Sequence, residues 1–491
     1  MMLSGRGVAC ALLAGSACFG VEASDELPVQ CQPAPGRRVE EFFNATSDFL
    51  YMGEPFKAEQ CIRQWKQLFP LDTRPLYMQL TAVARMPAWR DGPGSAGQVA
   101  ADLREAELLL NRLLDDVEDA EGFISQHVAS VLVPLYYGMA YGHRQLKDLD
   151  TAWAYILAGN RLKFGTLSEQ DLSINKLKIS MMQLWTPVLQ VQDMWATMAS
   201  VFAQHVPSPS FGEELVFIIG LPRTGSTLLE FLLSRHPSIR ATGEAGLQPS
   251  GGSILFQDVW LKLAQELTHE VEAGSLSLTK MLAVFTQEQR QALMSEAIAL
   301  VKSAQQLLKE SADPGGKSSF QLVTDKLLPN SMVAPLIRWL LPGARILMCT
   351  RAPVDSAISS FWQLFEGTFF VHTYDFDSLG GHVWSHTQME LAFLGHAGIT
   401  EKLMQVSYEN MAYHSRATME EVLSFLGLPW NDSVLDGNAA SSLHMVRTAS
   451  VTQVRGPMYQ TGVGRWRDEA RYFRPLLRYL PLDERRPAET G

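Results

Sequence analysis

An uninterrupted apolar run that enters a short polar loop and leaves directly into a helical stretch constrains the fold more than any other part of this sequence. The run covers residues 215–221, the loop reads Pro222-Arg223-Thr224-Gly225-Ser226-Thr227, and the helical stretch extends to Leu233. Such a run is typical of a strand buried within a parallel sheet. The free N–H groups and partial positive charge at the start of a helix attract anions. The segment therefore predicts an α/β fold with an anion-binding loop.

The side chains of this loop have the chemistry that a phosphorylated ligand requires. Gly225 lets the backbone approach the ligand, and Thr224, Ser226 and Thr227 can donate hydroxyl hydrogen bonds. Arg223 can hold phosphate oxygens with two parallel bonds. The loop lacks the Lys-[Ser/Thr] pair of nucleoside-triphosphate enzymes, so magnesium–ATP chemistry is not indicated. An ordinary strand–turn–helix with Ser and Thr caps is the alternative interpretation.

Short apolar runs alternate with helical stretches after a Pro/Ser linker at residues 207–210. The runs at residues 215–221, 320–324, 344–349 and 403–406 are the predicted strands. Such alternation is typical of a parallel sheet flanked by helices. We therefore assign residues 212–480 to an α/β domain.

Residues 36–205 instead place their apolar positions at helical spacing, which predicts an all-α region in front of that domain. Its clearest unit covers residues 131–163, where two helices flank a turn at Lys147-Asp148-Leu149-Asp150. Small and aromatic residues on these helices are similar to those of a tetratricopeptide repeat, which stacks on its neighbours. A generic helical bundle is the alternative interpretation.

The N-terminal residues 1–25 are interpreted either as a signal peptide or as a first helix, because an uncharged stretch at residues 8–21 follows Arg6. If this segment is removed, Cys31 and Cys61 can pair in an oxidising compartment. The five cysteines form no metal-ligand pattern, so we expect no metal site. A net charge of −11 disfavours nucleic acid as a partner.

The loop Pro222-Arg223-Thr224-Gly225-Ser226-Thr227 resembles the 5′-phosphosulfate loop of sulfotransferases. The resemblance is strongest to tyrosylprotein sulfotransferases and to bacterial sulfotransferases with tetratricopeptide repeats, and it covers about residues 130–475. It implies a P-loop-like parallel sheet flanked by helices and a metal-free reaction. It also implies 3′-phosphoadenosine-5′-phosphosulfate as the donor of a sulfuryl group.

Two residues carry the chemistry that this resemblance implies. Glu244, in Thr242-Gly243-Glu244, corresponds to the proposed general base, which removes the proton of the acceptor hydroxyl. Lys326, in Thr324-Asp325-Lys326, corresponds to the lysine that neutralises charge on the oxygen from which sulfate departs.

The resemblance also implies which residues bind the nucleotide. Arg351 at a strand end and Ser359 on the next helix correspond to the 3′-phosphate site. Tyr408 corresponds to a tyrosine that lines the nucleotide pocket, although a buried core tyrosine is the alternative. Ser450 and Arg465 keep the spacing of a serine and a lysine that close over the phosphate end. Gln363 stands where tyrosylprotein sulfotransferases have another arginine, which weakens the transfer of their acceptor.

The expected function is transfer of a sulfuryl group to an acceptor hydroxyl. The alternatives are a nucleotide kinase or nucleoside-triphosphatase, and a helical-repeat adaptor with an inactive nucleotide fold. The expected acceptor is tyrosine in an acidic protein or peptide, followed by a glycan or a small hydroxylated metabolite, and the helical region can also mediate homodimerisation. We expect a cytoplasmic protein, with export or the Golgi lumen as the alternative if residues 1–25 are a signal peptide.

Overall fold

A computed structural model describes most of the 491-residue chain. The described residues are 31–32, 38–52, 55–70, 72–85, 96–118, 126–190, 193–245, 247, 255–310, 320–365, 367, 369–436 and 463–480. The prediction for residues 1–25 lies outside them. Within the described part, every helix is too short or too polar to cross a lipid bilayer.

The N-terminal region consists of helices. They are α1 (Val39–Met52), α2 (Pro55–Leu68), α3 (Arg74–Arg85), α4 (Ala96–Glu118), α5 (Gln126–Gln145), α6 (Leu149–Gly165), α7 (Glu169–Gln190) and α8 (Met194–Ala203). A disulfide joins Cys31 to Cys61 of α2, which is the pairing expected for an exported chain.

The predicted helix–turn–helix unit corresponds to α5 and α6. Lys147 has a left-handed backbone, with φ of 63°, and Asp148 caps α6 by accepting a hydrogen bond from the Thr151 N–H. The pair packs with α3 and α4 around an apolar core. Its assignment to the tetratricopeptide repeats stays a prediction.

The C-terminal part contains a five-stranded parallel sheet, which confirms the predicted α/β fold. Its strands are β1 (Leu215–Gly220), β2 (Ile239–Ala241), β3 (Leu322–Asp325), β4 (Arg345–Thr350) and β5 (Leu403–Ser407). Their order across the sheet is β2-β3-β1-β4-β5. The four predicted strands match within two residues, whereas β2 was not predicted.

Helices connect the strands and cover both faces of the sheet. They are α9 (Ser226–Leu233), α10 (Gln257–Glu272), α11 (Leu278–Val284), α12 (Gln287–Glu310), α13 (Ala334–Leu340), α14 (Pro353–Phe361), α15 (Phe376–Leu394), α16 (Ala397–Thr400), α17 (Tyr408–Tyr413) and α18 (Ser415–Phe425).

The central strand β1 explains why its sequence is apolar without alternation. Leu215, Phe217 and Ile219 belong to one core, whereas Val216 and Ile218 belong to the core on the opposite face. Every residue of β1 is buried. Because neighbouring side chains of a strand point to opposite faces, a strand covered on both sides needs apolar residues at each position.

The helical region packs directly against the α/β part. Residues of α7 and α8 belong to the same core as Leu215, Phe217 and Ile219. The Trp185 indole of α7 donates a hydrogen bond of 2.6 Å to the Met332 carbonyl, which follows β3. On α5, the Tyr141 hydroxyl donates to the Trp362 carbonyl at the end of α14. Elements from both sides of the predicted linker therefore share apolar cores.

Candidate active site

Most of the sequence-predicted site residues follow the carboxyl ends of the strands. In sheet order, Glu244 follows β2, Lys326 follows β3, the loop that begins at Leu221 follows β1, Arg351 follows β4, and Tyr408 follows β5. Because all five strands are parallel, these ends meet at one edge of the sheet. Ligands of open α/β sheets bind at this edge, next to the strand where the chain reverses direction across the sheet. Here that strand is β1.

The loop after β1 bends sharply before α9 begins. Arg223 and Gly225 have positive φ values of 68° and 88°, and the Thr224 hydroxyl donates a hydrogen bond of 2.7 Å to the Leu221 carbonyl. Tyr408 lies against the loop, since a Cβ on Gly225 would be 2.7 Å from its Cδ2 atom. Ser226 and Thr227 then form the first turn of α9. The bend thus brings the loop under the tyrosine ring.

Arg223, Arg351 and Ser359 form one group of hydrogen-bond donors. The Arg223 Nε donates to the Ser359 Oγ at 3.0 Å, and the Arg351 Nη1 donates to the Arg223 carbonyl at 2.9 Å. The Arg351 guanidinium also lies 4.5 Å from the centre of the Tyr408 ring. Two guanidinium groups and a hydroxyl beside a helix N-terminus suit a ligand with several negative charges.

Two hydrogen bonds hold this group in place. The Ser356 hydroxyl of α14 donates to the Pro222 carbonyl at 2.7 Å, which fixes the loop against the helix that carries Ser359. The Glu409 carboxylate accepts a hydrogen bond of 2.9 Å from the Ala352 N–H. The residues after β1, β4 and β5 are therefore connected to each other.

Glu244 and Lys326 form an ion pair on the other side of the loop. The Lys326 Nζ lies 2.9 Å from the Glu244 Oε1. The lysine side chain is completely buried, whereas the glutamate side chain is 44% exposed. A fixed cation is thus paired with a carboxylate that solvent, or an acceptor molecule, can reach.

The sequence interpretation did not include Glu230 of α9, whose side chain is 1% exposed. Its carboxylate accepts hydrogen bonds from the Gly243 N–H at 3.0 Å and the Thr324 hydroxyl at 2.9 Å, and it lies 4.0 Å from the Lys326 Nζ. Burial raises the pKa of Glu230, and Lys326 and the two hydrogen bonds oppose this shift. A single carboxylate in the otherwise apolar stretch after Thr227 was the sequence signal for it.

The structure also places Asp355 near Arg351. Burial raises the pKa of this carboxyl group, and it accepts a hydrogen bond of 2.8 Å from the Gly464 N–H. The backbone of Arg465 therefore begins next to the first turn of α14, whereas its side chain, like Ser450, lies outside the described part. Gln363 is buried and donates to the Leu364 carbonyl.

The arrangement separates two kinds of chemistry along the sheet edge. The β4 and β5 side presents cationic and hydroxyl donors for an anion, and the β2 and β3 side presents a carboxylate and an ammonium group. Among the described residues, no three His, Cys, Asp or Glu side chains are arranged to hold a metal ion. The described groups suit transfer of a charged group between a ligand held by the loop and a second molecule at Glu244.

A comparison with protein families matches the part of the chain that contains this site. Residues 215–432 match the model of the sulfotransferase family. A protein-tyrosine sulfotransferase of Drosophila melanogaster is 29% identical over 238 residues, which are 47% of this chain and 42% of the fly protein. The sulfotransferase domain of the Synechococcus PCC 7002 olefin synthase is 19% identical, with a TM-score of 0.34, over 54% of this chain and 95% of that domain.

An uncharacterized protein of Aquifex aeolicus is 25% identical over 266 residues, which are 54% of this chain and 32% of that protein. The chain thus spans less than half the length of the Aquifex and Drosophila relatives. The similarity of this chain to the sulfotransferase family thus covers residues 215–432.

Proposed function

We propose that this protein transfers a sulfuryl group from 3′-phosphoadenosine-5′-phosphosulfate to an acceptor hydroxyl. The observation that carries the proposal is the order of groups at the sheet edge. Glu244 and Lys326 lie on one side of the loop, and Arg351, Ser359 and Tyr408 lie on the other. A nucleotide held by its phosphates across β1 would present its sulfuryl group toward the Glu244–Lys326 pair.

The residues after β1 and β4 fit the phosphates of such a donor. The loop amides and Arg223 would hold the 5′-phosphosulfate, while Arg351 and Ser359 would hold the 3′-phosphate. The adenine ring system has the flat shape that suits the Tyr408 side of the pocket. The loop can lie this close to Tyr408 because Gly225 has no Cβ, which would otherwise clash with the Tyr408 ring.

Glu244 and Lys326 would act on the two ends of the transfer. Glu244 takes the proton of the acceptor hydroxyl as its oxygen attacks sulfur. Lys326 neutralises the phosphate oxygen that keeps the electron pair as its bond to sulfur breaks. The donor supplies an activated sulfuryl group, and the protein supplies position and charge.

Tyrosine in an acidic protein or peptide is the first candidate acceptor, because the Drosophila relative bears the name of a protein-tyrosine sulfotransferase. A glycan or a small hydroxylated metabolite is the second. Gln363 gives no added cation for an acidic peptide, because its side-chain amide is uncharged. The Cys31–Cys61 disulfide favours an oxidising compartment, and therefore the exported or Golgi alternative.

Calorimetric titration with 3′-phosphoadenosine-5′-phosphate tests the donor assignment. We expect the wild type to bind it more tightly than 5′-AMP or ATP with magnesium, because only this nucleotide has a 3′-phosphate for Arg351. Arg351→Ala should weaken binding at least about tenfold, which is the scale of a lost charged hydrogen bond. Arg416→Ala, which removes an exposed arginine of α18, is the matched control and should bind like the wild type.

Equal affinity for ATP, or an Arg351→Ala variant that binds like the wild type, would sink the proposal. Activity assays separate the kinase and adaptor alternatives, since a kinase would turn over ATP with magnesium. An adaptor would bind the nucleotide but transfer no sulfate from the labelled donor to a tyrosine peptide, a glycan or a phenol.

A further inference from the structure

Glu230 occupies a position where a carboxylate is costly. It lies in the second turn of α9 among Leu229, Phe231 and Leu232, all of which are buried. A buried carboxylate persists only where hydrogen bonds or an opposite charge compensate its lost hydration. An apolar residue of similar size would pack equally well in this helix. The presence of a carboxylate must therefore be explained by the contacts that Glu230 makes.

Those contacts lead to the two residues that are assigned to the chemistry. One carboxylate oxygen, Oε1, accepts from the N–H of Gly243 and from the hydroxyl of Thr324. Gly243 is adjacent to Glu244, and Thr324 is two residues before Lys326. The helix that follows the phosphate loop is therefore bonded to the ends of both β2 and β3.

The other oxygen, Oε2, faces the lysine. It lies 4.0 Å from the Lys326 Nζ and has no hydrogen-bond partner among the described residues. Lys326 is thus placed between two carboxylates, with Glu244 at 2.9 Å on the exposed side and Glu230 on the buried side. The thiol of Cys349 on β4 also lies in this electrostatic environment, and burial raises its pKa, so it stays neutral.

We propose that Glu230 is a positioning residue for sulfuryl transfer, which holds the backbone of Glu244 and the ammonium group of Lys326 in their working places. This inference rests on the proposed function. When Glu244 receives the acceptor proton, it loses its negative charge, and the attraction that holds Lys326 on that side disappears. The Glu230 carboxylate then remains 4.0 Å from the Lys326 Nζ, and the lysine and the two hydrogen bonds favour its charged form.

Two substitutions separate the hydrogen bonds of Glu230 from its charge. Glu230→Ala removes both, whereas Glu230→Gln keeps an oxygen that can accept from Gly243 and Thr324 but removes the charge. Glu296→Gln is the matched control, because Glu296 is also a partly buried glutamate that accepts a backbone N–H, from Phe256 at 2.9 Å, and burial raises its pKa.

The first measurement is hydrogen–deuterium exchange of the peptide that covers residues 239–245, which needs no ligand. Glu230→Ala should exchange at least about tenfold faster there, since an amide exchanges when its hydrogen bond opens. Glu230→Gln should restore slow exchange, and Glu296→Gln should leave it unchanged. Unchanged exchange in Glu230→Ala would overturn the positioning of Glu244.

The second measurement is transfer of the sulfuryl group from the donor to p-nitrophenol, which yields p-nitrophenyl sulfate and 3′-phosphoadenosine-5′-phosphate. The affinity for 3′-phosphoadenosine-5′-phosphate is measured alongside. Glu230→Gln should lower kcat at least about tenfold, the scale of a lost charged contact, and leave nucleotide affinity unchanged. The acidic limb of its pH–rate profile should move to lower pH, because Lys326 then faces Glu244 alone.

A Glu230→Gln variant with the wild-type kcat and pH profile would overturn the inference while leaving the proposed function intact. A wild type that does not bind the nucleotide would overturn the proposed function instead. The exchange experiment would still decide whether Glu230 holds the segment before Glu244.

Discussion

Gly225 lies at a position of the loop where a side chain would not fit. Its φ of 88° lies in the left-handed region, and a Cβ would meet the Tyr408 ring at 2.7 Å and the Met411 methyl group at 3.2 Å. Any side chain at this position must therefore overcome both an unfavourable backbone conformation and a collision. The shape of the loop depends on the smallest residue in it.

We predict that Gly225→Ala lowers the free energy of unfolding by about 1–3 kcal/mol and weakens binding of 3′-phosphoadenosine-5′-phosphate. Gly274→Ala is a matched control, because Gly274 also has a positive φ, 63°, but no atom within 4 Å of its Cβ position. It should lose only the backbone contribution and keep nucleotide affinity. Urea unfolding and calorimetry measure the two effects, and equal losses in both variants would refute the role of the collision.

The sequence indicates the position of residues that directly follow a strand, whereas the roles of these residues stay predictions. Arg223, Arg351 and Tyr408 each follow an apolar run, and the parallel sheet brings such positions to one edge. Glu230 escaped prediction because its partners, Gly243 and Thr324, are 13 and 94 residues away. Only the pairing of β2 with β3 makes them neighbours.

The segment Arg465–Tyr472 is held against the helical region by a buried ion pair. Glu469, whose side chain is 4% exposed, contacts the guanidinium of Arg144 on α5 and accepts a hydrogen bond of 2.8 Å from the Trp153 indole of α6. Gly464, directly before this segment, donates its N–H to the Asp355 carboxylate. The helical region therefore supports a segment that reaches the first turn of α14.

Glu469→Ala should lower the free energy of unfolding by about 3 kcal/mol, because it leaves the Arg144 charge buried without its carboxylate. The exposed pair Asp150 and Arg471 lies at the same interface and provides the control. Asp150→Ala should have a much smaller effect, since solvent screens that pair. A double-mutant cycle of Arg144→Ala and Glu469→Ala measures the coupling, and additive effects would contradict the pair.

At the level of elements, the sequence predicted four strands and the α5–α6 pair but not β2. Three residues, Ile239–Ala241, are too few to show a strand pattern. The sharing of one core by α7, α8 and the sheet also could not be predicted, because apolar helix faces do not indicate which partner covers them. The sequence pattern changes from helical spacing to alternating strands and helices at the Pro/Ser segment, residues 207–210. The elements before and after this segment nevertheless pack in one apolar core.

A pair of buried histidines affects the whole molecule through pH. The rings of His372 and His382 stack with their centres 3.6 Å apart, and burial lowers the pKa of both well below 6.5, with further lowering by the neighbouring Lys178 and His386. Burial lowers the pKa of Lys178 to about 7. The other ionisable groups beside the two histidines are His386 and Glu390, which contact each other. Both histidines are neutral in the folded protein.

Because burial lowers the pKa of Lys178 to about 7, this lysine makes stability rise with pH above about pH 7. The contribution of the two histidines should be complete above about pH 6.5 and fall as the pH decreases below that value, because only the unfolded chain then binds protons at these histidines. Each contributes a slope of about 1.4 kcal/mol per pH unit in that range. Urea unfolding between pH 8 and 5 checks this. His372→Phe should remove about half of this contribution, while His269→Gln, at an exposed position of α10, should retain it. An unchanged slope in His372→Phe would contradict the assignment.

The order of strands in the sheet has a consequence for how such a protein diversifies. Residues that would recognise the nucleotide come from the β1, β4 and β5 ends, and those that would face the acceptor come from the β2 and β3 ends. Under the proposed function, substitutions around β2 would change the hydroxyl that is modified while the residues that would hold the donor stay the same. The acceptor preference of such a sheet would then vary independently of its donor.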